Sequence, residues 1–336
     1  MTVQPEIALA PQVRTGTPSG PAAILARDLE REFERGKVMA VRGISLEVRP
    51  GEIFGLLGPN GSGKTTTVRM LTTMLPPTGG RAEVAGYDIR DAAAEVRRSI
   101  GVALQEVALD PLLTARDHMR LQCALHSVSR SVRASRAEAL LARVGLTAAA
   151  DARVRTYSGG MKRRLDLALA LVHQPAILFL DEPTVGLDPQ SRAAIWEEVR
   201  RLARDEGVAV FMTTQYIEEA DALADRVAIV DRGEVVAAGT PMELKGTLGG
   251  AALTITAART ELAAVRDVVR AFGEVTWESS AQLRCRLADK SQATAVVGAL
   301  ERSGLGVEAI EIHGATLEEV FLEKTGHLLE RDGRSA

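Results

Sequence analysis

Gly58-Pro59-Asn60-Gly61-Ser62-Gly63-Lys64-Thr65 decides how this chain is read. Glycine, four residues, then Gly-Lys-Thr is the pattern of a phosphate-binding loop. The setting agrees, because Glu52–Leu57 (EIFGLL) reads as a buried strand and Thr65–Leu75 (TTTVRMLTTML) as a helix. A glycine-rich turn between strand and helix aims several backbone N–H groups at one point. The positive end of the helix dipole adds to that field. Lys64 brings a full charge and the Thr65 hydroxyl can hold Mg²⁺, so the segment predicts binding of a nucleoside triphosphate. The competing reading is a glycine-rich surface turn; four fixed positions match by chance in roughly one per cent of chains this long.

Hydrolysis needs carboxylates beside that loop. Ile177-Leu178-Phe179-Leu180-Asp181-Glu182 is an apolar strand ending in two acids, which places them at the carboxyl edge of a sheet. Asp181 suits Mg²⁺ held through water, and Glu182 suits the orientation or deprotonation of an attacking water. Ser158-Gly159-Gly160, followed at once by a helical stretch from about Lys162 to His173, forms a second glycine-rich helix start and a second anion site.

Outward from these motifs, strands are expected at Ile24–Leu29, Ile44–Val48, Arg81–Val84, Ile177–Leu180, Val208–Met212 and Val227–Val230, with a helix at Ser191–Arg204. Strands alternating with helices predict an α/β core with a mixed, mostly parallel sheet. From about Asp110 to Gln174 the apolar spacing turns helical, as an insertion into that sheet. After Gly246 the pattern restarts as strand, helix, two strands, helix and strand, the order of a small α+β ferredoxin-like domain. The expected organisation is a flexible tail at 1–22, a nucleotide-binding domain at 23–245 with its helical part at about 106–175, an accessory domain at 246–326, and a frayed end at 327–336. The first tail carries Pro5, Pro11, Pro18 and Pro21 and too little apolar surface to order itself.

Composition sets limits on function. The chain has 336 residues, 46% hydrophobic and 25% charged, with a net charge of −3, so no global basic field favours nucleic acid. No apolar run approaches the ~20 residues of a membrane helix, and no secretory signal is expected at the N-terminus. Cys123 and Cys285 are far apart in sequence, which disfavours a disulfide and suits a reducing cytoplasm.

Taken in order and spacing, these motifs make residues ~23–245 resemble the ATP-binding subunit of an ATP-binding-cassette (ABC) transporter. By that resemblance Gly58–Thr66, including Thr66, is the Walker A loop, and Gln105 is the Q-loop glutamine, acting in catalysis and at the metal with Thr65 and Asp181. Ser158-Gly159-Gly160 is the signature motif, Asp181-Glu182 is Walker B with the catalytic glutamate, and Asp188 closes the Gly186-Leu187-Asp188 D-loop. Phe33 falls where the family stacks an aromatic ring on adenine, against the plainer reading of a core phenylalanine. Two positions depart from the family. Tyr157 and Met161 flank the signature where Leu and Gln are usual, and Gln215 stands where a switch histidine is usual. A glutamine there is similar to the daunorubicin-resistance branch, as is the segment Gly314–Leu322. Leu317, Val320 and Phe321 of that segment suit both burial in the small domain and contact with a partner.

The resemblance implies ATP and Mg²⁺ as ligands and a head-to-tail pair of identical chains with two ATP molecules between them. It implies a separate integral membrane permease, contacted at Gln105 and the segment Glu106–Thr114, and a peripheral position on the cytoplasmic face of the cell membrane. The cargo implied is a drug or natural product such as an anthracycline-like antibiotic. The alternatives are the ATPase of a lipid or polysaccharide exporter and, further off, a soluble ABC ATPase with no membrane partner.

Overall fold

A computed structural model describes residues 21–34, 38–106, 108–248, 251–287 and 292–327. The expected tails lie outside these residues, apart from 21–22 and 327. The chain divides after Thr240 into two compact units. The second starts at Pro241, somewhat before the join expected at 245/246.

In the first unit, β3 (Ile53–Leu57) lies inside a six-stranded sheet ordered β10-β9-β3-β8-β7-β6. Its other members are β6 (Ile100–Ala103), β7 (Ile177–Asp181), β8 (Ala209–Thr214), β9 (Arg226–Asp231) and β10 (Glu234–Gly239). All neighbours run parallel except β9 and β10, which are joined by a hairpin. Arg232 and Gly233 form that hairpin with φ of 48° and 86°, the left-handed pair that a two-residue turn between twisted strands requires. The runs IFGLL and ILFLD are buried along their whole length because both faces of the sheet are covered. Alternation sorts their side chains. Leu178 and Leu180 of β7 join Val210 and Met212 of β8 in one apolar cluster, with Met119, Leu141, Leu165 and Leu202 from helices. Phe179 and Phe211 face the other way, into a cluster with Phe54, Val68 and Leu71.

That second cluster is roofed by a separate antiparallel sheet, which the sequence reading did not anticipate. Its order is β2-β1-β4-β5, from β1 (Ile24–Phe33), β2 (Val38–Val48), β4 (Gly79–Val84) and β5 (Tyr87–Asp88). Helix α1 (Lys64–Leu71) is shorter than the expected 65–75, since Thr73 turns left-handed at φ 63° and the Met74 and Leu75 N–H groups fold back onto Arg69 O. Helix α2 (Ala93–Ser99) leads into β6. The helical insertion contains α3 (Ala115–Leu125), α4 (Arg130–Arg143) and α5 (Gly159–Ala170). A reciprocal Thr114–Asp117 capping box starts α3, its two side chains accepting from the Asp117 and Thr114 backbone N–H groups. Helix α6 (Pro189–Glu206) starts on Asp188 with proline at its first position and stops at Gly207, and α7 (Ile217–Leu223) follows β8.

The second unit holds α8 (Pro241–Gly246), β11 (Ala251–Ala257), α9 (Leu262–Val269), β12 (Gly273–Glu278), β13 (Gln282–Leu287), α10 (Gln292–Ser303), β14 (Val307–His313) and α11 (Leu317–Thr325). The antiparallel sheet β12-β13-β11-β14 is the ferredoxin-like arrangement expected from the order of elements. Leu253, Ile255, Leu283 and Cys285 pack with Val265, Val296 and Leu300. In α11, Leu317, Val320 and Phe321 are buried, and Glu319 and Glu323 pair with Arg284 and Arg286 of β13. Both cysteines are buried free thiols. Among the described residues no helix is long and apolar enough to cross a membrane.

Candidate functional site

Residues 58–63 link the end of β3 to the start of α1. Glycine is required sterically at two points: a Cβ on Gly58 would lie 2.3 Å from Val230 O, and one on Gly63, at φ 102°, would lie 2.5 Å from Ala40 O. Ser62 is buried and its Oγ has no partner. Pro59 and Thr66 are half-buried, and Asn60 and Gly61 are exposed on the outside of the loop.

Lys64 reaches back into the loop it follows. Its Nζ donates to Gly58 O at 2.8 Å and to Pro59 O at 3.0 Å, and stands 3.3 Å from Glu182 Oε1. Three acceptors thus meet the three protons of a buried ammonium. Burial lowers the Lys64 pKa, and the charge of Glu182 works against that shift. The other carboxylate oxygen of Glu182 accepts from Gln105 Nε2 at 3.1 Å. Lys64, Gln105 and Glu182, spread over more than a hundred residues of the chain, therefore form one connected chain of polar contacts. This geometry commits the Gln105 amide to Glu182, one residue from the metal group the sequence assigned it to.

Asp181 makes a second cluster. Its Oδ1 accepts from Thr65 Oγ1 at 3.2 Å and from Thr213 Oγ1 at 2.6 Å. A carboxylate with adjacent hydroxyls is the kind of oxygen donor set that a hard divalent cation takes. Thr213 was not singled out from sequence. It sits opposite Asp181 in the parallel register of β7 and β8, so only the strand pairing reveals it. Thr213 also accepts the Glu182 N–H, at 3.2 Å through its carbonyl and 3.0 Å through its hydroxyl. Glu182 stands at φ 49°, a left-handed backbone that costs a residue with a side chain about 1–3 kcal/mol.

Ser158 caps α5, accepting from Met161 N at 3.2 Å. Gly160 packs so closely on α6 that a Cβ there would lie 2.3 Å from Ser191 Oγ. Asp188 caps α6 and accepts from the Ser191 N–H at 2.9 Å and hydroxyl at 2.6 Å, and these two bonds lower its pKa. Ser158, Gly159, Gly160 and Asp188 are thus one group, distinct from the group around Lys64. Gln215, just past β8, is half-buried, and its neighbour Tyr216 lies under the Arg192 guanidinium, 5.2 Å from ring centroid to carbon. Phe33 ends β1 half-buried, with the Arg31 guanidinium 4.7 Å above its ring.

A second set of buried polar groups escaped the sequence reading. Glu219 accepts from Thr184 Oγ1 at 2.9 Å and from Trp196 Nε1 at 3.1 Å, tying α7 to α6 and to the turn after Glu182; burial raises its pKa. Arg163, inside α5, is buried among backbone carbonyls.

Comparison with known proteins gives a consistent result. Residues 41–185 match the ABC transporter family, and residues 239–325 match the C-terminal domain of DrrA1-3-like ATP-binding proteins. The daunorubicin resistance ATP-binding protein DrrA3 of Streptomyces coeruleorubidus is 43% identical over 306 residues, covering 90% of this chain and 96% of that protein. The Nod factor export ATP-binding protein I of Burkholderia orbicola is 38% identical over 311 residues, covering 92% and 99%. Among solved structures, a dimeric bacterial ABC transporter cassette superimposes with a TM-score of 0.60 at 27% identity, over 65% of this chain and 98% of that one.

Proposed function

This chain belongs to the ATP-binding proteins of ABC transporters, in the branch of the daunorubicin-resistance subunits, and from that premise we propose the following division of labour. The chain is an ATPase that powers an exporter. When ATP enters, its phosphates take over Lys64 from Gly58 O, Pro59 O and Glu182, and the backbone N–H groups of residues 60–65 close around them. Thr65 and Asp181, with Gln105 beside them, would hold Mg²⁺, which when bound offsets charge on the β- and γ-oxygens. Glu182, released from Lys64, aligns and deprotonates the attacking water. Gln215 donates an amide N–H to the γ-phosphate. Phe33 lies beside adenine.

One chain carries one phosphate loop and one Ser-Gly-Gly helix start, and these form two separate groups in the structure. A complete site therefore takes two copies, head to tail, with Ser158, Gly159, Gly160 and Asp188 of each closing on the nucleotide held by the other. The likeness to a dimeric cassette supports that arrangement. The stroke goes to a separate membrane permease through Gln105 and Glu106–Thr114, with the chain on the cytoplasmic face of the membrane. The motor domain expected at 23–245 and the accessory domain expected at 246–326 correspond to the two units, with their join moved to about residue 240.

The observation that carries this reading is the contact of Glu182 with both Lys64 and Gln105, at 3.3 and 3.1 Å. It joins three motifs that share no sequence proximity around one carboxylate. For the cargo we infer a drug or natural product of the anthracycline type, supported by the daunorubicin-resistance relatives. A relative named for Nod factor export keeps a lipid or polysaccharide cargo as the second reading. Inside-out vesicles bearing the chain and its membrane partner test the choice. ATP-dependent uptake of doxorubicin, abolished by Glu182→Gln, is the expected result. Uptake of a labelled lipid-linked saccharide with no doxorubicin uptake would reverse it.

A further inference from the structure

Arg163 stands on α5, five residues past Ser158, and is only 6% exposed. A guanidinium removed from water needs partners for its N–H groups. Backbone carbonyls supply most of them. Nε donates to Pro183 O at 2.9 Å, Nη2 to Asp181 O at 2.9 Å, and Nη1 to Leu104 O. Asp166, almost one turn further along the helix, accepts from Nη1 at 3.2 Å.

These carbonyls share one feature. Those of Asp181 and Pro183 flank Glu182. That of Leu104 immediately precedes Gln105, whose amide bonds the Glu182 carboxylate. One buried cation therefore fixes the backbone on both sides of the general base and the backbone that delivers its amide partner. The left-handed conformation of Glu182, at φ 49°, persists only if its surroundings over-determine it. Thr213 restrains the N–H of Glu182, and Arg163 restrains the carbonyls before and after it. Arg163 is also rigidly linked to the Ser158 end of α5, because an α-helix of 12 residues moves as one body over its first turns.

We propose that Arg163 is a positioning residue that carries the docking of Ser158–Gly160 on a partner copy's nucleotide to Glu182 and Gln105 of its own chain. Its guanidinium is spent on backbone carbonyls and Asp166, so it acts through the backbone and links the two ATP sites of the pair. This inference rests on the ATPase reading above. The two are separable: absence of ATP hydrolysis by the native full-length chain would sink that reading, whereas Arg163 is judged by variants against an active native chain.

The test uses Arg163→Lys and Arg163→Gln in the full-length chain, with steady-state ATP hydrolysis titrated in ATP and equilibrium binding of labelled ATP. A misplaced base predicts a loss in kcat of about ten- to a hundredfold for Arg163→Gln with ATP affinity kept within about twofold. Lysine, which keeps the charge and part of the carbonyl contact, should recover some of that rate. The Hill coefficient for ATP should fall toward one in both. An unchanged kcat overturns the proposal, and so does a loss of ATP affinity in proportion to the loss of rate, the mark of a residue that merely holds the fold. A native Hill coefficient of one, or one that the variants leave unaltered, removes the link between sites. If Arg163→Gln fails to fold, Arg163→Lys is decided on the same readings.

Discussion

Replacing Glu182 by glutamine should separate ATP binding from hydrolysis, and the structure gives a sign for each. The carboxylate is nearly buried, with Oε1 facing Lys64 at 3.3 Å and Oε2 facing Gln105 at 3.1 Å. Glutamine fills the same volume and keeps one acceptor, so Gln105 or Lys64 retains a partner. It cannot take a proton from water. Loss of a general base costs about a hundred- to ten-thousandfold in rate, which is about 3–5 kcal/mol of barrier at ~1.4 kcal/mol per decade. Binding moves the other way. In the native chain, ATP must first draw Lys64 from a buried anion, a charge-assisted contact of about 1.5–3 kcal/mol. Glutamine removes the anionic competitor and leaves a buried ammonium whose acceptors, Gly58 O and Pro59 O among them, are all neutral. The nucleotide-free variant should therefore be less stable than native, and its ATP affinity about tenfold or more higher. Phosphate release, labelled-ATP binding and thermal unfolding with and without ATP measure all three. ATP should also hold the variant as a dimer in sedimentation. A kcat within tenfold of native, or ATP binding weaker than native, would refute this account of Glu182. A strictly monomeric variant at saturating ATP would refute the head-to-tail pair.

Three further outcomes are expected. Lys64→Ala should lower affinity for labelled ATP by about ten- to a hundredfold, since a charged hydrogen bond to phosphate is lost; native affinity would contradict the loop assignment. Gln215→His should raise basal turnover severalfold when the imidazole is protonated, because a charge-assisted bond to the γ-phosphate is about twice as strong as a neutral one; an unchanged or lower rate counts against a γ-phosphate contact at this position. Asp166 has its pKa raised by burial from 3.8 to about 6, with Arg163 opposing the shift. The folded state thus holds the Asp166 proton more tightly than the unfolded state. The contribution of this group is full below pH 3.8, falls as pH rises toward about 6, and is constant above. Urea unfolding should show native stability dropping relative to Asp166→Asn by about 3 kcal/mol across that window; a difference that does not vary with pH would show that Asp166 titrates normally.

What the sequence disclosed, and what it hid, follows from the range of the interactions. The loop at 58–65 was legible because glycine spacing, lysine and the following helix are local requirements met within a few residues. The acids at 181 and 182 were legible because a run of four apolar residues has to end at the edge of a buried sheet. Thr213 was not, because its bonds to Asp181 and Glu182 depend on the register between β7 and β8, which no local pattern specifies. Arg163 was hidden in Lys162-Arg163-Arg164, which looks like a solvated helix face; only the middle residue of the three is buried. The antiparallel sheet was missed for a related reason, since β4 pairs with β1 across more than forty residues, and β1 and β2 are interrupted by bulges that blur their alternation. The end of α1 was misjudged because Thr-Thr-Met-Leu continues the helical pattern while Thr73 turns against it.

The contacts around Glu182 also account for why binding would have to precede hydrolysis. Each oxygen of the Glu182 carboxylate already has a partner, Lys64 on one and Gln105 on the other. ATP exchanges the first partner, because the triphosphate is a stronger competitor for a buried ammonium than one carboxylate. The second partner, Gln105, lies two residues past β6, at the head of the segment proposed to meet the permease, and the preceding carbonyl is held by Arg163. A displacement of either that segment or α5 would move the backbone that carries Gln105 and so loosen its contact with Glu182. A base masked by one group that answers to nucleotide and another that answers to protein contacts would fire only when both have moved. In such an arrangement the rate of ATP use is governed by the permease and the partner copy as well as by the ATP concentration.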